Sequence, residues 1–232
     1  MKFSRIELRD LAVCWVSLSL CFSLGVFFTP AGDPFVTSLL NFLIVSLVTL
    51  LAMGTGFLIH EICHKAAAQH FGCWAEFRTW VPGLVISIAT AVLSFGTFIF
   101  FAPGAVHVRA YRDLSRREEG LISSSGPASN LLLAVLFLGL YSLRHSFGMA
   151  GEFMWSFNLF GYSVSSYPYN IFTLLGRLGF QMNLWLAAFN LIPFGPLDGL
   201  TIFRWNKLVW GVLALIAWGT LIIMSFGLVQ IL

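Results

Sequence analysis

Residues 60–64 read His-Glu-Ile-Cys-His. On a helix the i, i+4 spacing brings His60 and His64 to one face, about 6 Å apart, where two imidazoles can bind one zinc ion. Glu61 stands beside the first imidazole and can take a proton from a water activated by the metal, because zinc lowers the pKa of bound water to about 7. From the His and Glu content of the chain, such a string arises by chance about 0.003 times. A tetrahedral zinc with two histidines and a water lacks one protein ligand. Asp198, the one aspartate in the C-terminal half, lies in Asn190-Leu-Ile-Pro-Phe-Gly-Pro-Leu-Asp198-Gly199, where an apolar helix breaks at Pro193 and Pro196. Cys63, three residues after His60, is the weaker candidate because a neighbour inside the motif faces another way.

The elements that carry these residues must sit in lipid. Hydrophobic residues make up 58% of the chain and charged ones 10%, with a mean hydropathy of +0.87, more apolar than a soluble domain can hide from water. Apolar helices are expected at 11–29, 36–66, 121–143, 171–192 and 208–231, and a further hydrophobic stretch at 81–101. The fold class is therefore an all-α polytopic membrane protein, with about five to six transmembrane helices, a re-entrant segment and short β-strands at the membrane surface. Residues 1–232 form a single domain with its core at about 36–200. The first apolar stretch has no small-residue cleavage site and reads as a retained anchor. The net charge of +3 sits in clusters at the ends of apolar segments, so the bilayer accounts for it without nucleic acid as a partner. Cys14, Cys21, Cys63 and Cys73 form no disulfide framework and read as free thiols.

Charge also sets the topology of a cell-membrane protein. Lys2, Arg5 and Arg9 place the N-terminus in the cytoplasm, and Lys65 and Arg78 then fall on the same side. If residues 81–101 crossed fully, Arg109, Arg112, Arg116 and Arg117 would be exported, and Asp198 would lie across the bilayer from His60 and His64. The stretch is accordingly expected to dip in and return, with bends at Ser94, Gly96, Pro103 and Gly104. Trp74–Trp80 and Gly104–Tyr111 flank it as candidate surface strands. Phe147–Asn170 reads as an external loop.

With both motifs in place, the chain resembles the site-2 protease family of intramembrane zinc metalloproteases, in which an HExxH helix is joined by an Asp from a downstream NxxPxxxxDG motif. Gly126-Pro-Ala-Ser-Asn130 is similar to the family's GPxxN element, and together the matches cover residues 56–200. The resemblance implies one Zn2+ per chain held by His60, His64 and Asp198, with Glu61 as catalytic base and Asn190 holding substrate or stabilising the transition state. It implies transmembrane proteins or peptides as substrates, cut near the cytoplasmic face, and it points to prokaryotic members without a PDZ domain. A metal transporter, a protease that trims prenylated tails and a zinc-binding scaffold are the competing readings. Transport needs no glutamate beside a ligand and usually shows internal repeats, which are absent here.

Other residues read as structural. His70 and His107 are interfacial, and His145 belongs to the external end. Trp74, Trp80, Trp205 and Trp210 read as interface anchors. Arg177, inside an apolar stretch, reads as snorkelling or as pairing with Glu152.

Overall fold

The computed structural model describes residues 1–27, 39–94, 98–100, 103–143, 157–159, 162–164 and 171–225. In chain order these form α1 (Arg5–Phe27), α2 (Leu39–His70), β1 (Trp74–Thr79), α3 (Val81–Leu93), β2 (Gly104–Arg109), α4 (Arg116–Ser142), β3 (Phe157–Leu159), β4 (Tyr162–Val164), α5 (Ile171–Asn190), α6 (Asp198–Trp205) and α7 (Lys207–Ser225). The protein is mostly helical. Among the described residues, Ser46–His70, Arg116–Ser142 and Lys207–Met224 are long and apolar enough to cross a membrane.

The helix expected at 171–192 is present as α5 but has a different character. It packs against α2, α4 and α7 and buries Arg177, Gln181 and Asn183 along with its apolar residues. Neighbouring helices cover these polar groups, as buried polar side chains in an apolar helix require. Arg177 thus sits inside the bundle instead of snorkelling; Glu152 lies outside the described residues, as does His145. Helix α4 starts at Arg116, ahead of the expected 121, because Ser115 and Glu118 form a reciprocal capping box on the four residues before it.

The hydrophobic stretch after β1 returns to its starting point. Helix α3 has 13 residues, short of the roughly 20 that a span requires. Strands β1 and β2 on either side of it pair antiparallel from Trp74↔Arg109 to Thr79↔Gly104. The Trp80 N–H donates to Pro103 O at 2.8 Å, so the two ends of the segment are hydrogen-bonded neighbours. Gly72, with φ of 76°, makes the left-handed turn that leads from α2 into β1. On the side of β1 away from β2, the Phe77 and Thr79 amides donate to carboxylates of α1, Glu7 at 3.1 Å and Asp10 at 3.2 Å. Within 147–170 the described residues hold a short hairpin, Phe157↔Val164 to Leu159↔Tyr162, where a plain loop was expected.

Several side chains differ from their expected settings. Lys65, placed by charge on the same side as Arg78, is buried and paired with Glu7. Trp205 packs over Gly120, and the Trp210 indole donates to Leu191 O at 2.8 Å, so both hold α6 and α7 to the bundle. Trp74 and Trp80 are exposed, as anchors would be, and so are His70 and His107. The four cysteines are free thiols.

Small residues let α4 and α5 approach closely. A Cβ at Gly176 would lie 2.7 Å from the Tyr141 backbone N and 3.0 Å from Phe137 O. Backbone atoms cannot swing aside. Gly176→Ala should therefore force α4 and α5 apart and destabilise the fold by about 1–3 kcal/mol, read as a lowered thermal midpoint of the detergent-solubilised protein.

Candidate metal centre

The His60 and His64 side chains meet that of Asp198 inside the bundle. His64 Nε2 lies 3.0 Å from His60 Nε2 and 3.1 Å from Asp198 Oδ2, and His60 Nε2 lies 3.4 Å from the same oxygen. Both imidazoles are buried, and Asp198 is largely so. Among the described residues this is the one group of three or more His, Cys, Asp or Glu ligand atoms gathered closely enough to hold a metal ion. Cys63 is not part of it.

Hydrogen bonds behind the rings decide which nitrogen faces the centre. Asn130 donates its amide to Gly56 O at 3.1 Å and to Asn183 Oδ1 at 3.0 Å. A carbonyl oxygen can only accept, so the Asn130 amide is oriented with Oδ1 towards His60 Nδ1, 2.6 Å away. His60 must then carry its proton on Nδ1. His64 Nδ1 lies 2.8 Å from Ile122 O, again a pure acceptor, and 3.4 Å from the Ser125 hydroxyl, which itself donates to Ile122 O. Both Nε2 atoms are therefore lone-pair donors pointing at one place beside an anionic oxygen. Such a set repels itself unless a cation lies between its members.

The dimensions fit zinc. Ligand atoms about 2.0–2.1 Å from a tetrahedral ion stand about 3.3 Å apart, close to the 3.0–3.4 Å found here. Space is kept by glycine. A Cβ on Gly126 would come 2.3 Å from His64 Nε2 and 2.6 Å from His60 Nε2.

Local chain geometry delivers Asp198. After α5 ends at Asn190, the chain turns through Pro193, Gly195 and Pro196, with Gly195 at φ of 63°. Helix α6 then folds back so closely that a Cβ on Gly199 would meet Leu191 O at 2.3 Å. That contact explains the glycine directly after the aspartate. Burial disfavours the charge of the Asp198 carboxyl, a cost that a cation held between it and the two imidazoles would offset. Its place in the first turn of α6 also suits a negative charge.

Glu61 is buried on α2, next to His60. Asn190 is half-buried and donates to Leu186 O at 3.0 Å; its described hydrogen bonds do not include the three-residue centre. Sequence reasoning named Gly126 and Asn130 only through a motif and passed over Asn183 and Gly56. Asn183 donates to Gly179 O at 2.8 Å, and its Oδ1 would lie 2.6 Å from a Cβ on Gly56. The available signal was an amide inside an apolar helix, which must find partners when buried.

Helices that gather two histidines and an aspartate around a lone-pair cluster, with a glutamate beside the first histidine, define a metallopeptidase-type centre within a helical membrane protein. Residues 48–229 match the family model described as Peptidase family M50. This chain belongs to that family, the site-2 protease family, and is a zinc metalloprotease by membership. Similar proteins named "Putative zinc metalloprotease" include MJ0611 of Methanocaldococcus jannaschii, 31% identical over 97% of each chain. YwhC of Bacillus subtilis is 28% identical over 72% of this chain and 69% of its own length. Rip2 of Mycolicibacterium smegmatis is 29% identical over 61% of this chain and 50% of its own. No solved structure matches at a significant level.

If the Asn130 bond sets the His60 tautomer, Asn130→Ala should weaken zinc binding about 10–100-fold. Competition with a chromophoric chelator would read the loss.

Proposed function

We propose that this protein is an intramembrane zinc endopeptidase that hydrolyses peptide bonds of transmembrane substrates near the cytoplasmic face of a cell membrane. In this reading His60, His64 and Asp198 hold one zinc per chain, Glu61 is the general base, and residues 1–232 form one membrane domain of five or six spans with α3 re-entrant. The observation that carries it is the pair of Nδ1-protonated histidines converging with Asp198, with Glu61 one residue away.

A zinc ion held there supplies Lewis acidity for the scissile carbonyl and for water. Glu61 takes the proton of the attacking water and returns it to the departing amine nitrogen, so that one carboxyl serves both halves of the hydrolysis. Asn130 and the Ile122 carbonyl keep the imidazoles from rotating while charge builds up. Asn190, at the end of α5 and eight residues before Asp198, is assigned to substrate contact.

A helical substrate hides its backbone and must be extended before attack. Strand addition to β2 would hold it so. Because the Phe77 and Thr79 amides turn away from β2, the ladder pairs are Trp74–Arg109, Glu76–His107 and Arg78–Ala105. In an antiparallel pair that leaves the Val106 and Val108 N–H groups pointing outward. Among the described residues nothing is hydrogen-bonded to that edge. Val106 and Val108 pack in the same cluster as Ile122, whose carbonyl holds His64.

The test is cleavage of a single-span substrate in detergent, with bound zinc measured in parallel. Glu61→Gln should retain zinc and lose cleavage by at least about 100-fold; cleavage at the wild-type rate would refute the assignment. In the same assay Val108→Pro should raise KM with zinc retained, and an unchanged KM would remove β2 as the docking edge.

A further inference from the structure

Buried charge outside the metal centre ties the N-terminal segment to the helix that bears the histidines. Lys65 directly follows His64, yet it is 2% exposed, and its partner Glu7 is 1% exposed. Lys65 Nζ donates to Glu7 Oε2 at 2.5 Å and to Lys2 O at 2.7 Å, and it lies 4.1 Å from the centre of the Phe3 ring. The other oxygen of Glu7 accepts from Phe77 N–H at 3.1 Å. Asp10, one helical turn further on, accepts from Thr79 N–H at 3.2 Å, and its carbonyl accepts from the Thr79 hydroxyl at 3.4 Å. Ser4 adds a hydrogen bond to Glu76. Two carboxylates at i, i+3 on α1 thus bond to alternate amides of β1, as the carbonyls of a neighbouring strand would.

We propose that Glu7 and Asp10 stand in for a strand along the outer edge of β1. An incoming extended substrate is then received on β2 alone, in a register set relative to His60 and His64. Glu7 and Asp10 are positioning residues that touch no reacting atom. The inference rests on strand addition as read above, and its physical basis is occupancy: an edge whose amides are already bonded cannot accept another chain. A buried ion pair could instead serve only stability, in which case a well-packed apolar pair would replace it without loss.

Two double variants of the full chain separate these roles. Glu7→Gln with Lys65→Met removes both charges but keeps an oxygen for the Phe77 amide. Glu7→Leu with Lys65→Met removes the charges and the oxygen. Hydrogen exchange at Phe77 and Thr79, read without substrate, should stay slow in the first and quicken at least tenfold at Phe77 in the second, with zinc content equal in both. KM for the single-span substrate should stay within about twofold of wild type in the first and rise about tenfold in the second, with kcat little changed. Equal exchange at Phe77 in both variants would overturn the strand-mimic role whether or not the protein cleaves anything. Normal exchange behaviour without any cleavage by wild type would instead count against the protease reading. Equal KM values in the two variants, with exchange differing, would overturn the link to substrate.

Discussion

Two largely buried imidazoles that present bare Nε2 lone pairs to one another at 3.0 Å form the constraint around which the protein is arranged. Each ring is held in that tautomer by an acceptor on α4, the Asn130 side chain for His60 and the Ile122 carbonyl for His64. In a low dielectric an unmade hydrogen bond is costly, so the arrangement requires every group behind the rings to be satisfied in turn. Asn130 passes the requirement to Gly56 O and Asn183, and Asn183 passes it to Gly179 O. One polar chain therefore links α2, α4 and α5. The glycines at 56, 126, 176 and 179 are where those helices come close enough for it to close.

A second polar system lies directly beyond the first on the same helix, α2. Past His64 the chain buries Lys65, which joins α1 to α2, and α1 in turn secures β1. The metal centre and the hairpin after it thus share α2 as a common support. The segment that carries α3 leaves β1 at Trp80 and rejoins β2 at Pro103, and the Trp80–Pro103 hydrogen bond closes its base. Helix α3 also packs against α1, and its Thr90 hydroxyl accepts from the Phe100 N–H at 3.0 Å, so it holds a fixed place beside the bundle.

Much of the centre was legible because its chemistry is local or punctuated: His60, Glu61 and His64 by helical spacing, and Asp198 by a carboxylate beside two prolines. Charge spoke against a full crossing at 81–101, since it would export the Arg109–Arg117 cluster, and the pairing of β1 with β2 brings the two ends of that stretch together. What could not be read was the partnering of buried amides and charges. Asn183 looks like an interruption in an apolar helix, and only contact with Asn130 from a distant segment gives it a role. Lys65 served only as a marker of sidedness, because composition cannot reveal that Glu7, 58 positions earlier, folds back onto it. Helix α6 was missed because eight residues after a proline-rich turn carry little periodic signal; its existence depends on Gly199 allowing close return to Leu191.

The central claim is that His60, His64 and Asp198 share one zinc ion. X-ray absorption at the zinc edge, on the purified protein and on Asp198→Cys, addresses it most directly. The account predicts a first shell of nitrogen and oxygen at about 2.0–2.1 Å in the wild type, and the gain of one sulfur at about 2.3 Å in the variant. A zinc-loaded variant whose shell stays free of sulfur, or a wild-type shell that already contains it, would contradict the assignment.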